Sequence, residues 1–154
     1  MRYDRRMKLS NLAATQKLAA SIVPMLRVGD CLTLSGDVGA GKTTFARQIL
    51  AIMAPELKDV PSPTYALMQI YETSQGQVWH YDLYRLNSET ELAELAWEEM
   101  ADHIALIEWP EKAGGLLPKN RLHFTFVLDQ NGERFVMISP YGAWQSRIKS
   151  FAAV

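Results

Sequence analysis

The sequence has few of the features that mark secreted, membrane-spanning or strongly charged proteins. Its 154 residues include a single cysteine, Cys31, so no disulfide can form within the chain, and we expect a reducing, cytoplasmic environment. No apolar run approaches the ~20 residues of a membrane span, and the basic residues 1–8 are not followed by the apolar core of a signal peptide. Lysine and arginine (16) nearly balance aspartate and glutamate (17). The nearly neutral overall charge therefore excludes binding to nucleic acid or membranes through net charge, but it does not exclude a local basic patch.

What remains is the composition of one ordinary globular domain. Hydrophobic residues make up 48% of the chain and charged residues 21%, and neither repeats nor low-complexity tracts interrupt it. We predict a single domain over residues 1–154, with a core at about 9–139 and a variable tail at 140–154. The basic segment at residues 1–8 is predicted to be a frayed, solvated tail.

The dominant motif lies at residues 36–43, which read Gly-Asp-Val-Gly-Ala-Gly-Lys-Thr and fit G-x-x-x-x-G-K-[ST]. The apolar run 31–34 before it predicts a buried strand, and residues 44–53 after it carry apolar side chains at helical spacing. Strand, glycine loop and helix in this order predict a phosphate-binding loop, because backbone N–H groups and the helix dipole meet there. The predicted nucleotide-binding residues are Asp37, Val38, Gly39, Ala40, Gly41, Lys42, Thr43 and Thr44.

Such a loop also needs a metal and a carboxylate. Lys42 is predicted to neutralise the β- and γ-phosphates, and the Thr43 hydroxyl to ligate Mg²⁺. A carboxylate at the end of a neighbouring strand completes such sites, and both Asp82, after residues 78–81, and Glu108, after the buried run 104–107, fit that place. The residue pattern does not choose between them. Thr64, on a proline-rich segment, is either a γ-phosphate sensor of the switch type or an ordinary turn hydroxyl.

The other segments predict an α/β fold with a largely parallel central sheet, helices on both faces and a C-terminal antiparallel hairpin. Asn11 or Ser10 is expected to cap a helix that ends near Val23, with Leu12 among its inward residues. A second helix is predicted from a capping box at Ser88 and Glu91 to about Met100. The predicted strands are 65–71, 77–83, 104–107, 121–128 and 134–139, and a short helix with Trp144, Ile148 and Phe151 follows them.

With these residues in view, the chain resembles the family of bacterial tRNA threonylcarbamoyladenosine biosynthesis ATPases, TsaE, also called YjeE. The resemblance extends from about residue 9 to 139 and rests on four stretches in matching order and separation. They are residues 35–44, Ser62-Pro63-Thr64-Tyr65, His80-Tyr81-Asp82-Leu83-Tyr84-Arg85 and Ile107-Glu108-Trp109-Pro110. Many families share the glycine motif, but the last three stretches together are specific. The chain departs from the family pattern at Glu133, where glycine is common, so the resemblance assigns Arg134 no role.

The resemblance implies a small Mg²⁺-dependent P-loop ATPase that binds ATP and ADP and is not itself the modifying enzyme. Its implied partners are a threonylcarbamoyl transferase subunit and that subunit's inactive paralogue, of the TsaD and TsaB type. Together they modify an adenosine beside the anticodon of tRNAs that read codons beginning with adenosine, so tRNA is met through the complex. The resemblance also implies that Thr43 and Glu108 hold Mg²⁺, that Asp82 fills the second acidic role and that Thr64 belongs to a switch-like segment. With Lys42, these are the candidate catalytic residues.

Three other functions are compatible with the glycine motif. A small-molecule kinase normally needs a lid with several arginines, and residues 83–107 contain only Arg85. A GTP-binding switch needs a guanine-reading Asn-Lys-x-Asp motif, which the sequence lacks. The third alternative is a nucleotide-binding subunit without turnover, which only an assay of phosphate release separates from an ATPase.

Overall fold

The chain folds around one seven-stranded sheet, seen in a computed structural model that describes residues 5–57 and 67–151. The strands are β1 (Arg5–Lys8), β2 (Cys31–Ser35), β3 (Met68–Thr73), β4 (Gly76–Asp82), β5 (Ile104–Glu108), β6 (Arg121–Leu128) and β7 (Arg134–Tyr141). The α-helices are α1 (Leu12–Ile22), α2 (Lys42–Met53) and α3 (Trp144–Arg147), and shorter 3₁₀ segments lie at Val23–Met25, Glu89–Leu95, Trp97–Asp102, Pro110–Leu116 and Ile148–Ser150. The strand order is β1-β7-β6-β2-β5-β4-β3.

The sheet is mixed, with a parallel centre. The neighbouring strands β6, β2, β5 and β4 are parallel, whereas β3 pairs with β4, β7 with β6 and β1 with β7 in antiparallel fashion. The prediction of a largely parallel sheet is therefore correct for the four central strands, and the antiparallel strands flank them. Short turns join β3 to β4 and β6 to β7, and such turns can connect only antiparallel strands. The predicted C-terminal hairpin is confirmed.

The N-terminal residues 5–8, predicted to be a solvated tail, form strand β1. Arg5 to Lys8 pair with Ile138 to Phe135 of β7, and the Lys8 ammonium lies 3.0 Å from the Glu133 carboxylate. The Arg6 guanidinium stacks 4.1 Å from the centroid of the Phe135 ring. Pairing with an edge strand far along the chain leaves no local signal in the sequence, which is why this prediction was wrong.

Two hydrophobic clusters cover the two sides of the sheet. On one side the helices pack through Phe45 of α2, whose ring lies 4.9 Å from Phe124 and 5.6 Å from Phe126. On the other side, 3₁₀ segments supply Trp97, which meets Tyr81 edge-on at 5.2 Å. The expectation of helices on both faces therefore holds only if these short 3₁₀ segments are counted.

The predicted helix from Ser88 to Met100 does not form. Two 3₁₀ segments replace it, separated at Ala96, whose φ of 52° and ψ of 41° place it in the left-handed region. Ser88 makes no side-chain capping bond, so the predicted capping box is absent. The Tyr81 hydroxyl donates to the carbonyl of Leu95 at 3.0 Å, and the Trp97 indole donates to the carbonyl of Leu116 at 2.9 Å. These tertiary hydrogen bonds hold the chain in the broken form.

Helix α1 follows its prediction except at its first residue. The Asn11 side chain accepts a hydrogen bond from the Ala14 amide at 2.9 Å, which confirms the N-cap. Leu12, expected to face inward, is 52% exposed, and Leu18 and Ile22 are the large buried side chains instead. Leu12 borders a surface pocket beside the candidate site.

The C-terminal segment docks on the main core. Trp144, Ile148 and Phe151 are buried there, and the Arg147 guanidinium forms a two-pronged ion pair with Asp30, at 2.5 and 2.9 Å.

Cys31 is also buried, and burial raises the pKa of its thiol to about 12, so it is a neutral packing group and not a nucleophile. No helix within residues 5–57 and 67–151 has the length and apolarity needed to span a membrane.

Candidate functional site

The glycine loop, residues 36–41, joins the end of β2 to the start of α2. Gly36, Gly39 and Gly41 have φ values of 139°, 82° and 118°, which L-residues with a side chain rarely adopt. A Cβ at Gly36 would collide with the carbonyl of Phe126. Gly41 is the N-cap of α2 and has no side chain with which to bond the first helical amides. No side chain caps the positive end of this twelve-residue helix, which therefore faces the loop as a site for an anion.

The Lys42 side chain folds back over this loop. Its ammonium donates to the carbonyls of Gly36 and Asp37, the latter at 2.9 Å, and lies 4.3 Å from the centroid of the Trp109 ring. Burial lowers the pKa of Lys42, and the nearby carboxylates, of which Glu108 has the largest effect, oppose that shift. The loop carbonyls and the ring hold the cation beside the N-terminus of α2.

Both predicted carboxylates reach the loop from the carboxyl ends of neighbouring parallel strands. Asp82 ends β4 and lies opposite Glu108, the last residue of β5. Glu108 is 1% exposed, and its Oε1 accepts a hydrogen bond from the Thr43 hydroxyl at 2.7 Å. Its Oε2 lies 2.7 Å from Nε2 of His80. Asp82 accepts a hydrogen bond from the Tyr84 amide at 3.0 Å. Glu108 is therefore the carboxylate in direct contact with Thr43.

A pocket of about 320 Å³ brings these groups together. Its lining consists of Val38, Gly39, Gly41, Lys42, Thr43, Thr44, Asp82, Tyr84, Glu108, Trp109 and Arg134. Two of the predicted nucleotide-binding residues do not line it: Ala40 is buried, and Asp37 contributes the carbonyl that holds Lys42. Thr64 lies outside the described residues.

A second pocket, of about 400 Å³, adjoins the first through Thr44 and Arg134. Its other lining residues come from the junction of β1 and α1 and from the turn before β7. They are Lys8, Leu9, Ser10, Asn11, Leu12, Thr15, Gly132 and Glu133. Both pockets border the first turn of α2, at Thr44.

Arg134 and Trp109 also line the pocket, although neither was among the predicted site residues. Arg134 starts β7, opposite Leu128 at the end of β6, and its Nη2 lies 3.3 Å from the carbonyl of Gly39. The sequence contained a signal for the position of Arg134. Because β6 runs parallel to β2, the turn of the β6–β7 hairpin lies at the same edge of the sheet as the glycine loop. Trp109 directly follows Glu108, the last residue of β5. A left-handed backbone at φ 57° places its ring over Lys42, and no sequence pattern indicates that conformation in a tryptophan.

The donors at this site suit a magnesium ion shared with a phosphate ligand. The Thr43 hydroxyl and the Glu108 carboxylate are in contact, and the Asp82 carboxylate lines the same pocket. Over residues 5–57 and 67–151, no group of three or more His, Cys, Asp or Glu side chains forms a metal cage. Mg²⁺ typically takes one or two protein carboxylates and completes its shell with water and phosphate oxygens. The residues present fit that mode of binding.

A family model described as "Threonylcarbamoyl adenosine biosynthesis protein TsaE" matches residues 9–136, which include the glycine loop and both carboxylates. The chain belongs to the TsaE family. The resemblance inferred from the motifs is thereby confirmed.

Individual TsaE relatives support this placement. The tRNA threonylcarbamoyladenosine biosynthesis protein TsaE of Rickettsia felis is 42% identical over 125 residues, which cover 80% of this chain and 73% of the relative. The protein of the same name from Bacillus subtilis is 30% identical over 132 residues, covering 86% and 83%. The crystal structure of Bacillus subtilis YdiB superposes with a TM-score of 0.76 at 23% identity, covering 97% of this chain and 93% of that one. YdiB therefore has the same fold.

Proposed function

We propose that this TsaE-family chain is a P-loop ATPase subunit that binds and hydrolyses ATP with Mg²⁺ in tRNA threonylcarbamoyladenosine biosynthesis. The observation that carries the proposal is the 2.7 Å hydrogen bond between Thr43, at the start of α2, and the buried Glu108. It joins the hydroxyl of a phosphate-loop motif to a carboxylate at the end of the neighbouring parallel strand. That pairing is the one expected of two groups that share a nucleotide-bound magnesium ion.

Each group in the pocket then has a role. The loop amides hold the phosphates, and Lys42 exchanges the carbonyls of Gly36 and Asp37 for β- and γ-phosphate oxygens. Thr43 and Glu108 would hold Mg²⁺, which neutralises charge on the transferring phosphoryl group when bound. Asp82 takes the second acidic role, and Thr64 remains the proposed switch residue.

The second pocket is the proposed place of the adenosine. Glu108 and Asp82 lie on the β5 and β4 side of β2, whereas Arg134 and the second pocket lie on its β6 and β7 side. A nucleotide whose γ-phosphate faces the carboxylates therefore directs its nucleoside past Thr44 toward that pocket. Leu12, exposed at its wall, offers an apolar surface for a base.

Replacing Arg134 with alanine is expected to weaken ADP binding by about 10- to 100-fold, the value of one or two hydrogen bonds to a charged phosphate. Arg134 lies between the two pockets and contacts the loop at Gly39, so its guanidinium is placed to reach the α- or β-phosphate. Calorimetric titration with ADP measures the effect. Arg27→Ala, which removes an exposed arginine before β2, is the matched control. ADP affinity equal to that of the control would contradict the role given to Arg134.

The metal role is tested by Glu108→Ala, which we expect to reduce Mg²⁺-dependent ATP turnover far more than it reduces nucleotide binding. The loop amides still hold the phosphates in this variant, whereas the contact to Thr43 is lost. Phosphate release and ADP calorimetry are compared in parallel. Glu94→Ala is the control, because it removes an exposed carboxylate that does not line the pocket. If Glu108→Ala kept full activity, the metal role would pass to Asp82 alone.

The proposed partners are the transferase subunit and its inactive paralogue, of the TsaD and TsaB type. Hydrolysis by this chain would cycle the complex and not perform the transfer itself. That cycle requires the ATP-bound and ADP-bound forms to differ in affinity for the partner, since a ligand shifts an equilibrium only through such a difference. A pull-down from native lysate with ATP or ADP present identifies what co-purifies in each state.

A further inference from the structure

His80 is a fully buried residue whose position the proposed catalytic roles leave unexplained. It lies on β4, two residues before Asp82, so both side chains leave the strand on the same side of the sheet. Its exposed fraction is 0%, and its Nε2 lies 2.7 Å from Oε2 of Glu108. The other oxygen of that carboxylate, Oε1, accepts the hydrogen bond from Thr43. The Glu108 carboxylate is therefore fixed at both oxygens, one by the loop and one by His80.

The second nitrogen of the ring favours one tautomer. Nδ1 of His80 is buried and has no hydrogen-bond partner in the described part of the chain. A buried N–H without an acceptor is costly, whereas a lone pair in the same place costs less. In either protonation state that carries a proton on Nε2, His80 donates to Glu108. A neutral ring with its proton on Nε2 has its only donor committed to the carboxylate.

We propose that His80 is a positioning residue for the metal-binding carboxylate, an inference that rests on the proposed magnesium role of Glu108. The terminal torsion of a glutamate is broad, so a carboxylate held at one oxygen samples many orientations. Mg²⁺ demands near-octahedral geometry and tolerates little such freedom. By holding Oε2, His80 keeps Oε1 directed toward Thr43 and the loop. Partners that orient a metal-ligating carboxylate typically contribute about 10- to 100-fold to metal affinity.

The other two histidines of the chain have different partners. His103 stacks on Trp79 with ring centroids 4.4 Å apart, and Nδ1 of His123 lies 2.7 Å from the Thr33 hydroxyl. His123→Leu is therefore a matched control for His80→Leu. Each removes a histidine with a 2.7 Å hydrogen bond from a strand of the central sheet, but only the His80 bond reaches a carboxylate of the site.

The test measures the Mg²⁺ requirement of ADP binding in the full chain. In the parent protein, ADP affinity is measured by calorimetry at increasing Mg²⁺ concentrations. The Mg²⁺ requirement is the Mg²⁺ concentration that gives half of the full increase in ADP affinity. We expect His80→Leu to raise that concentration by about 10- to 100-fold while ADP affinity without Mg²⁺ stays within a few-fold. His80→Gln, whose amide nitrogen can take the place of Nε2, is expected to restore most of the loss. His123→Leu should leave the Mg²⁺ requirement unchanged.

A double-mutant cycle shows whether His80 acts through Glu108. In a Glu108→Gln background, adding His80→Leu is expected to change the Mg²⁺ requirement no further, because the group that it positions is already gone. A second loss of similar size in that background would overturn the inference. So would an unchanged Mg²⁺ requirement in His80→Leu.

Folding and the magnesium proposal itself are controlled separately. If circular dichroism shows that His80→Leu does not fold, the comparison of His80→Asn with His80→Gln decides, since the shorter asparagine side chain cannot reach Glu108. Loss in the asparagine variant with recovery in the glutamine variant supports positioning, and equal behaviour of the two overturns it. A parent protein whose ADP affinity ignores Mg²⁺ would overturn the proposed metal site, and the role of His80 with it.

Discussion

Replacing Lys42 with alanine is expected to weaken ATP and ADP binding by about 100-fold or more and to abolish hydrolysis, while the protein stays folded. Two charge-assisted hydrogen bonds to phosphate oxygens, at about 1.5–3 kcal/mol each, account for that loss. In the structure the same ammonium is held by the carbonyls of Gly36 and Asp37 and by the Trp109 ring. These contacts hold the ammonium at the place where the phosphates of a bound nucleotide would accept its hydrogen bonds.

The free energy of unfolding of the Lys42→Ala variant should differ little from that of the parent protein, because two effects of the substitution oppose each other. The loss of the carbonyl hydrogen bonds is destabilising. Burial, however, lowers the pKa of Lys42, which means that the pocket disfavours the charged form and that its removal relieves this cost. Thermal unfolding and ADP calorimetry are measured together, with Lys112→Ala as a control that removes an exposed lysine beyond the pocket. Binding within a few-fold of the parent protein would show that Lys42 does not serve the phosphates.

The elements that were predictable from the sequence are those whose signal is local. The run 31–34, the glycines and the apolar spacing of residues 44–53 lie within a few residues of one another, and the structure has strand, loop and helix there. Asn11 at an N-cap and the turn at 129–133 are likewise decided by a few neighbouring residues. Asp82 and Glu108 could be placed together because carboxyl ends of parallel strands meet at one edge of the sheet.

The elements that were missed depend on partners distant in the sequence. The segment 88–102 has helical spacing, but the Tyr81 hydroxyl binds the carbonyl of Leu95 and the chain breaks at Ala96. Strand β1 forms because it pairs with β7, which begins at Arg134, 126 residues after Lys8. In each case a tertiary contact overrides or replaces a local preference, and the sequence alone does not show the contact.

The same distinction holds within the candidate site. The glycine motif predicts the proposed phosphate-binding residues, because their chemistry depends on adjacent positions. A lone histidine on a buried strand, such as His80, has no local pattern that indicates a role. Only the pairing of β4 with β5 reveals that it lies against Glu108. Groups that position a functional side chain across a sheet are thus the hardest to predict from sequence.

The isolated chain is expected to hydrolyse ATP slowly, and the partner subunits to raise its rate by as much as ~10³–10⁵, the value of an arginine supplied in trans. We expect a shortage of positive charge at the γ-phosphate to limit the isolated protein. Lys42 is the cation beside Asp82 and Glu108 in the described pocket, whereas Arg134 approaches from the β6 and β7 side and contacts Gly39. The Arg134 guanidinium is therefore not placed at the proposed γ-phosphate end of the site.

The partner complex can supply what the pocket lacks in two ways, by inserting a cationic group or by ordering the segment that carries Thr64. Single-turnover hydrolysis, measured alone and with the two transferase subunits, tests the expectation. Arg85→Ala separates the sources of charge, because Arg85 is exposed three residues after Asp82 and is the nearest candidate within the chain. If the stimulated rate survives in that variant, the completing group comes from the partners or from Thr64. Fast turnover by the isolated chain, unchanged when the subunits are added, would instead favour a self-sufficient enzyme such as a small-molecule kinase.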